Sequence, residues 1–92
     1  MSPDIVRRRA VVSGRVQGVF FRDGARRRAE KAGVAGTARN LRDGTLEVVL
    51  EGDVGPVERV LAWLQEGPEG AQVDSVEVEE QVPEGSTGFY IA

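Results

Sequence analysis

The stretch LEVVLEGDVGPVERVLAWL, Leu46 to Leu64, changes its apolar period in the middle, and that change decides the fold. Over its first part Leu46, Val48 and Leu50 alternate with Glu47, Val49 and Glu51, the period of two expected of a strand with one buried face. After Gly52-Asp53, Pro56 falls where a first helical turn tolerates a missing N–H, and Val57, Val60, Leu61 and Leu64 fall at i, i+3, i+4 and i+7. A strand therefore runs almost directly into an amphipathic helix, which Gly67-Pro68 ends.

Upstream, Arg42-Asp43-Gly44 supplies a turn signal, so Val34 to Asn40 is predicted to be the other strand of a hairpin. Before it, Phe21, Ala25, Ala29 and Ala32 follow one helical face, with Arg26, Arg27, Arg28, Glu30 and Lys31 on the others and Gly33 as the stop, giving a helix over 22–33. A first strand is expected around Ala10, Val12 and Gly14, ending at Gly14. Downstream, Val76 and Val78 alternating with Glu77 and Glu79 read as a fourth strand, and Phe89-Tyr90-Ile91 as a short terminal one. The order is βαββαβ, the α+β ferredoxin-like sandwich, with two helices expected on one face of an antiparallel sheet. Residues 1–92 are read as a single domain, a size that allows one modest core.

Composition removes whole classes of chemistry. With no Cys and no His, disulfides, thiolate nucleophiles, phosphohistidine intermediates, Cys/His zinc sites and Ser-His-Asp triads are all excluded. Any catalysis must use Arg, Lys, carboxylates, amides, hydroxyls or backbone N–H groups. The net charge of −3 conceals an asymmetry: residues 1–42 hold 11 Arg/Lys against 3 Asp/Glu, and residues 43–92 hold 1 against 12. Two oppositely charged faces of one domain are expected. Arg7-Arg8-Arg9 and Arg26-Arg27-Arg28 are read as a solvated basic face able to steer an anionic substrate. The longest apolar run, Val60 to Leu64, is far short of a membrane span, and no apolar segment follows the opening Met1-Ser2-Pro3-Asp4, so neither an anchor nor a signal peptide is expected and the default location is cytoplasmic.

The segment joining the first strand to the first helix is Gly14-Arg15-Val16-Gln17-Gly18-Val19-Phe20-Phe21-Arg22. Two glycines four residues apart allow positive φ angles, so that consecutive N–H groups can line an anion-binding concavity. The N-terminus of the helix adds partial positive charge there, and the Arg22 guanidinium can grip two phosphate oxygens at once. Read as pattern alone, the segment also fits an ordinary Gly-rich turn with a solvated arginine. It is not a Walker A loop, because no Gly-Lys-Ser/Thr follows.

The same segment resembles the acylphosphatase signature Gly-x-Val-Gln-Gly-Val-x-Phe/Tyr-Arg at every defined position. A second motif of that family is matched by Gly36-Thr37-Ala38-Arg39-Asn40-Leu41-Arg42-Asp43-Gly44, continuing to Gly52, and the likeness extends over nearly the whole chain, including Trp63 and Gly67-Pro68. The chain departs from the family pattern at Thr37, where an aromatic residue is usual, and at Leu46, where Val is typical. Loss of the ring is expected to loosen the packing beside the Asn40 strand.

The resemblance implies a ferredoxin-like hydrolase acting on acid anhydrides in phosphorus-containing compounds, which splits the carboxyl-phosphate bond of acyl phosphates by direct attack of water. It implies Arg22 and Asn40 as the catalytic pair, Arg22 on the phosphate and Asn40 on the water, with Arg15, Val16, Gln17, Gly18, Val19 and Phe20 as the phosphate-binding loop. No metal, cofactor or covalent intermediate is required. Arg15 and Gln17 are expected to face solvent, and Asp23 to stabilise the helix N-terminus while pointing away from the phosphate. The expected partner is a small-molecule acyl phosphate, with no nucleic acid or membrane, and the expected state a monomer. The competing reading is a non-catalytic ferredoxin-like regulatory or RNA-binding module. The stacking form of that reading lacks paired exposed rings on the central strands, since only five aromatic residues exist.

Overall fold

The structure, a computed structural model, describes residues 4–92; Met1-Ser2-Pro3, where a leader peptide was not expected, lies outside the described residues. The chain runs β1 (Ile5–Arg15), α1 (Phe21–Ala32), β2 (Ala35–Asn40), β3 (Leu46–Asp53), α2 (Val54–Leu64), β4 (Gln72–Gln81) and β5 (Phe89–Ile91). The sheet order is β4-β1-β3-β2-β5. Pairings of β1 with β3, β1 with β4, and β2 with β3 are antiparallel, which is the expected ferredoxin-like core. The terminal strand β5 runs parallel to β2, so the whole sheet is mixed.

Period two sorts the residues of the sheet onto two faces. Ala10 and Val12 of β1, Leu46, Val48 and Leu50 of β3 and Ala38 of β2 are fully buried against Phe21, Ala25 and Ala29 of α1 and Val57, Val60 and Leu64 of α2. Both helices therefore cover one face, as expected. At the helix contact the Phe21 ring meets Trp63 edge-on, with centroids 5.4 Å apart, and Arg28 lies 5.2 Å over the same indole. Gly24 sits in this contact: a Cβ there would approach the indole to 2.7 Å. A residue that weakens helix propensity thus makes room for the close approach of the two helices.

The opposite face differs from the sequence expectation. Strand β1 begins at Ile5, so Arg7, Arg8 and Arg9 are strand residues and not a solvated run. Arg9 reaches Glu47 of β3 (2.6 Å) and Glu79 of β4 (3.5 Å), Arg39 of β2 also reaches Glu47 (3.2 Å), and Arg7 meets Glu51 (3.0 Å). On the helix side Arg8 pairs with Glu58 at 3.2 Å. The two charged halves are interleaved across neighbouring strands and neutralise each other, in place of two opposed faces. The cause is the strand order, which sets basic β1 between acidic β3 and β4.

Candidate active site

The chain leaves β1 at Arg15, and three local features turn it into α1. Gly14 belongs to the strand: it lies at a register shift in the pairing with β4, and a Cβ there would collide with the Gln72 carbonyl oxygen at 2.1 Å. Its φ of 125° is positive, as the paired glycines suggest, but its lack of a Cβ serves the close approach of β4. Gly18, with φ of 74° and open space around it, is the glycine that bends the loop. Val16 is buried and anchors the loop in the core, and Phe20 takes a left-handed conformation (φ 60°, ψ 27°) at the position that starts the helix.

Helix α1 begins without a side-chain cap, and Gly24 N–H donates to the Phe20 carbonyl (3.0 Å) in its first turn. The N–H groups of Phe21, Arg22 and Asp23 consequently have no intrahelical partner, and they carry the positive end of the helix dipole. The residues that carry them border a cavity of about 340 Å³ lined by Val16, Gly18, Phe20, Phe21, Arg22, Asp23, Asn40 and Ile91. Arg22 and Asn40, 18 positions apart in the chain, come together there. One Arg22 nitrogen, Nη1, donates to the main-chain oxygen of Ala92 at 3.2 Å, which orients the guanidinium while leaving most of its five N–H groups available.

Asn40 closes β2 on the face that carries Ala38, toward the helices. Its Oδ1 is buried and has no hydrogen-bond donor within the protein. An unpaired buried acceptor is costly, and this one belongs to a residue that lines the cavity. The end of β2 is held by the following turn: Leu41 N–H donates to Thr45 O (2.9 Å), while Asp43 accepts from the Thr45 hydroxyl (2.6 Å) and N–H (3.0 Å). Those two bonds hold the exposed Asp43 carboxyl below its usual pKa range, the hydroxyl contributing most.

Of the expected loop, Val16, Gly18 and Phe20 line the cavity and Arg15, Gln17 and Val19 do not. Arg15 still belongs to β1. Gln17 does not face solvent: its Nε2 donates to the carbonyls of Leu41 (2.8 Å) and Thr45 (2.9 Å), clamping the loop to the turn beyond Asn40. Asp23 borders the cavity, yet its two oxygens are held by Arg26 (2.8 Å) and Arg27 (3.1 Å), so its charge opposes an anion weakly. Thr37 lies on the opposite side of the sheet, beside Tyr90, in a separate cavity of about 210 Å³. That cavity is separate from the one lined by Arg22 and Asn40.

A larger cavity of about 640 Å³ is lined by Glu30, Gly33, Gly52 and Gly85 to Phe89. Its buried carboxylate, Glu51, is already committed: it accepts from the N–H groups of Glu84 (3.0 Å), Gly85 (2.7 Å) and Ser86 (3.1 Å) and from Arg7 (3.0 Å). Burial alone would raise the Glu51 pKa, but those donors together pull it down to about 2. The group staples the β4–β5 connection to β3 and has nothing left to offer a ligand. Among the described residues no cluster of carboxylates suited to a metal occurs, and no helix is long and apolar enough to cross a membrane.

A family model described as Acylphosphatase matches residues 8–91. Among curated relatives, an acylphosphatase of Rubrobacter xylanophilus is 54% identical over 84 residues, covering 90% of this chain and 76% of its own length. One of Alkalilimnicola ehrlichii is 53% identical over 81 residues, covering 85% and 91%. In three dimensions the chain resembles an acylphosphatase from Coxiella burnetii, with a TM-score of 0.92 and 37% identity over 97% of this chain and 94% of that one.

Proposed function

Because this chain belongs to the acylphosphatase family and hydrolyses acyl phosphates, we propose that Arg22 holds the phosphoryl group and Asn40 orients the attacking water. The observation that carries the assignment is one cavity lined by Arg22, by Asn40 with its unpartnered amide oxygen, and by the first residues of an uncapped helix. The reaction class is that of hydrolases acting on acid anhydrides in phosphorus-containing compounds. Residues 1–92 act as one domain, with an acyl phosphate as the partner. The regulatory or RNA-binding alternative is not favoured.

An acyl phosphate is a mixed anhydride whose carboxylate departs readily, so catalysis demands positioning and charge stabilisation more than a strong nucleophile. The phosphoryl oxygens sit against Arg22 and the free N–H groups of the loop and helix start, which stabilise the charge spread over them in the transition state. The water donates one hydrogen bond to Asn40 Oδ1, placing its lone pair toward phosphorus. The new O–P bond forms as the P–O bond to the acyl group breaks; the electron pair leaves with the carboxylate, and the water proton passes to a phosphoryl oxygen. No step calls on a metal.

The test is turnover of acetyl phosphate or benzoyl phosphate by the purified protein, with and without EDTA. Turnover unaffected by chelation is expected. Turnover abolished by EDTA would contradict the direct route.

A further inference from the structure

We propose that Phe20 and Ile91 form an apolar rim that receives the acyl group, so that this enzyme favours acyl phosphates with a bulky or aromatic acyl group over short ones. The inference rests on reading the cavity as the phosphoryl site and adds what lies at its mouth.

Phe20 is 84% exposed, so the core has no use for its ring. Among the described residues, Phe20 is the one non-glycine with positive φ, a conformation that glycine or asparagine adopts at less cost. Its direction is fixed from both sides. Gly24 N–H donates to its carbonyl at 3.0 Å, and the adjacent Phe21 is buried with its ring against Trp63. With Phe21 filling the core, Phe20 is directed outward to the cavity that Arg22 and Asn40 share. A strained backbone that displays a large exposed ring beside the chemistry points to a ligand contact.

Ile91 is the second apolar group, 38% exposed and lining the same cavity. It lies two residues beyond buried Phe89 on the same face of β5, opposite Ala38 of β2, one strand step before Asn40. The parallel pairing of β5 with β2 is what brings it there. The cavity is polar at Arg22, Asn40 and the uncapped start of α1, and apolar at Phe20 and Ile91. An acyl phosphate has the same division: a charged phosphoryl end and, through one oxygen, an acyl group that must extend away from it. Asp23, the one carboxylate lining the cavity, is tied to Arg26 and Arg27, and no cation other than Arg22 lines it, so a charged acyl group finds no partner there.

The experiment compares kcat/KM for benzoyl phosphate and acetyl phosphate, each corrected for its uncatalysed hydrolysis. The wild-type ratio is expected to favour benzoyl phosphate by about tenfold, equivalent to about 1.4 kcal/mol. Phe20→Asn, which suits the left-handed backbone, should erase most of that preference, Phe20→Trp should retain it, and Ile91→Ala should reduce it about threefold. Binding to the unaltered protein gives a second reading: benzylphosphonate should inhibit about tenfold more tightly than methylphosphonate. Equal inhibition by the two phosphonates, or a ratio unmoved in both Phe20→Asn and Ile91→Ala, would overturn the rim while leaving the phosphoryl site in place. Failure of the wild type to turn over either substrate would instead remove the reading on which the rim rests.

Discussion

The side-chain amide of Gln17 donates to the main-chain carbonyl of Leu41 at 2.8 Å, joining the loop that faces the phosphate to the residue immediately after Asn40. A second bond from the same nitrogen, to Thr45 O at 2.9 Å, makes this a two-point clamp. Gln17 does not itself line the cavity, so it acts through the residues that do.

Gln17→Ala should therefore cost roughly 1–3 kcal/mol of stability, the range for losing two such bonds. Turnover at saturating substrate should fall about tenfold, because the loop and Asn40 lose their fixed separation. Thermal unfolding together with kcat and KM checks this. Gln17→Glu, which removes the donor while preserving the shape, should behave like the alanine variant.

Gly24→Ala runs against helix propensity. In an exposed helix the change would gain about 1 kcal/mol. Here the new Cβ would press on Trp63 at 2.7 Å, and that ring is held by Phe21 and Arg28. A net loss of about 1–3 kcal/mol is expected from overpacking. Chemical denaturation measures the sign directly.

Gly18→Ala would place a Cβ on a backbone with φ of 74°, where space is open but the conformation is strained. The expected cost is about 1–2 kcal/mol. Binding of inorganic phosphate, measured by calorimetry or as competitive inhibition, should weaken as the loop relaxes.

Acid stability follows from Glu51. Its carboxyl has a pKa of about 2 in the fold against an ordinary 4.5, so the folded state holds fewer protons than the unfolded one between those values. The stabilisation is complete above about pH 4.5 and is lost as pH falls toward 2. Glu51→Gln should lower stability at neutral pH by about 2–3 kcal/mol, as expected for loss of charged hydrogen bonds. It should also flatten the dependence on pH over that window, as read by thermal melts at stepped pH.

Helix α2 and strand β3 were legible because their apolar periods are local and unbroken, with turn residues between. The start of β1 was not, since Arg7 to Arg9 resemble a charge run until their partners are known, and Glu47 and Glu79 lie 38 and 70 positions from Arg9. For the site, Arg22 and Asn40 stood out through two motifs, and the cavity brings them together. Gln17 was misread as solvent-facing because its partners are main-chain carbonyls, which carry no side-chain signature. Ile91 could not be linked to Asn40 from sequence either. Their proximity depends on β5 adding in parallel beside β2, and three residues of terminal strand do not encode that direction.

The most direct measurement is the initial rate of benzoyl phosphate hydrolysis by the wild type, Arg22→Ala and Asn40→Ala, each shown by thermal unfolding to be folded. Losses of about 10²–10³ in turnover are expected for each variant, the size seen when a transition-state hydrogen-bond partner is removed. Near wild-type turnover in folded Arg22→Ala or Asn40→Ala would contradict the assignment of that residue to the reaction.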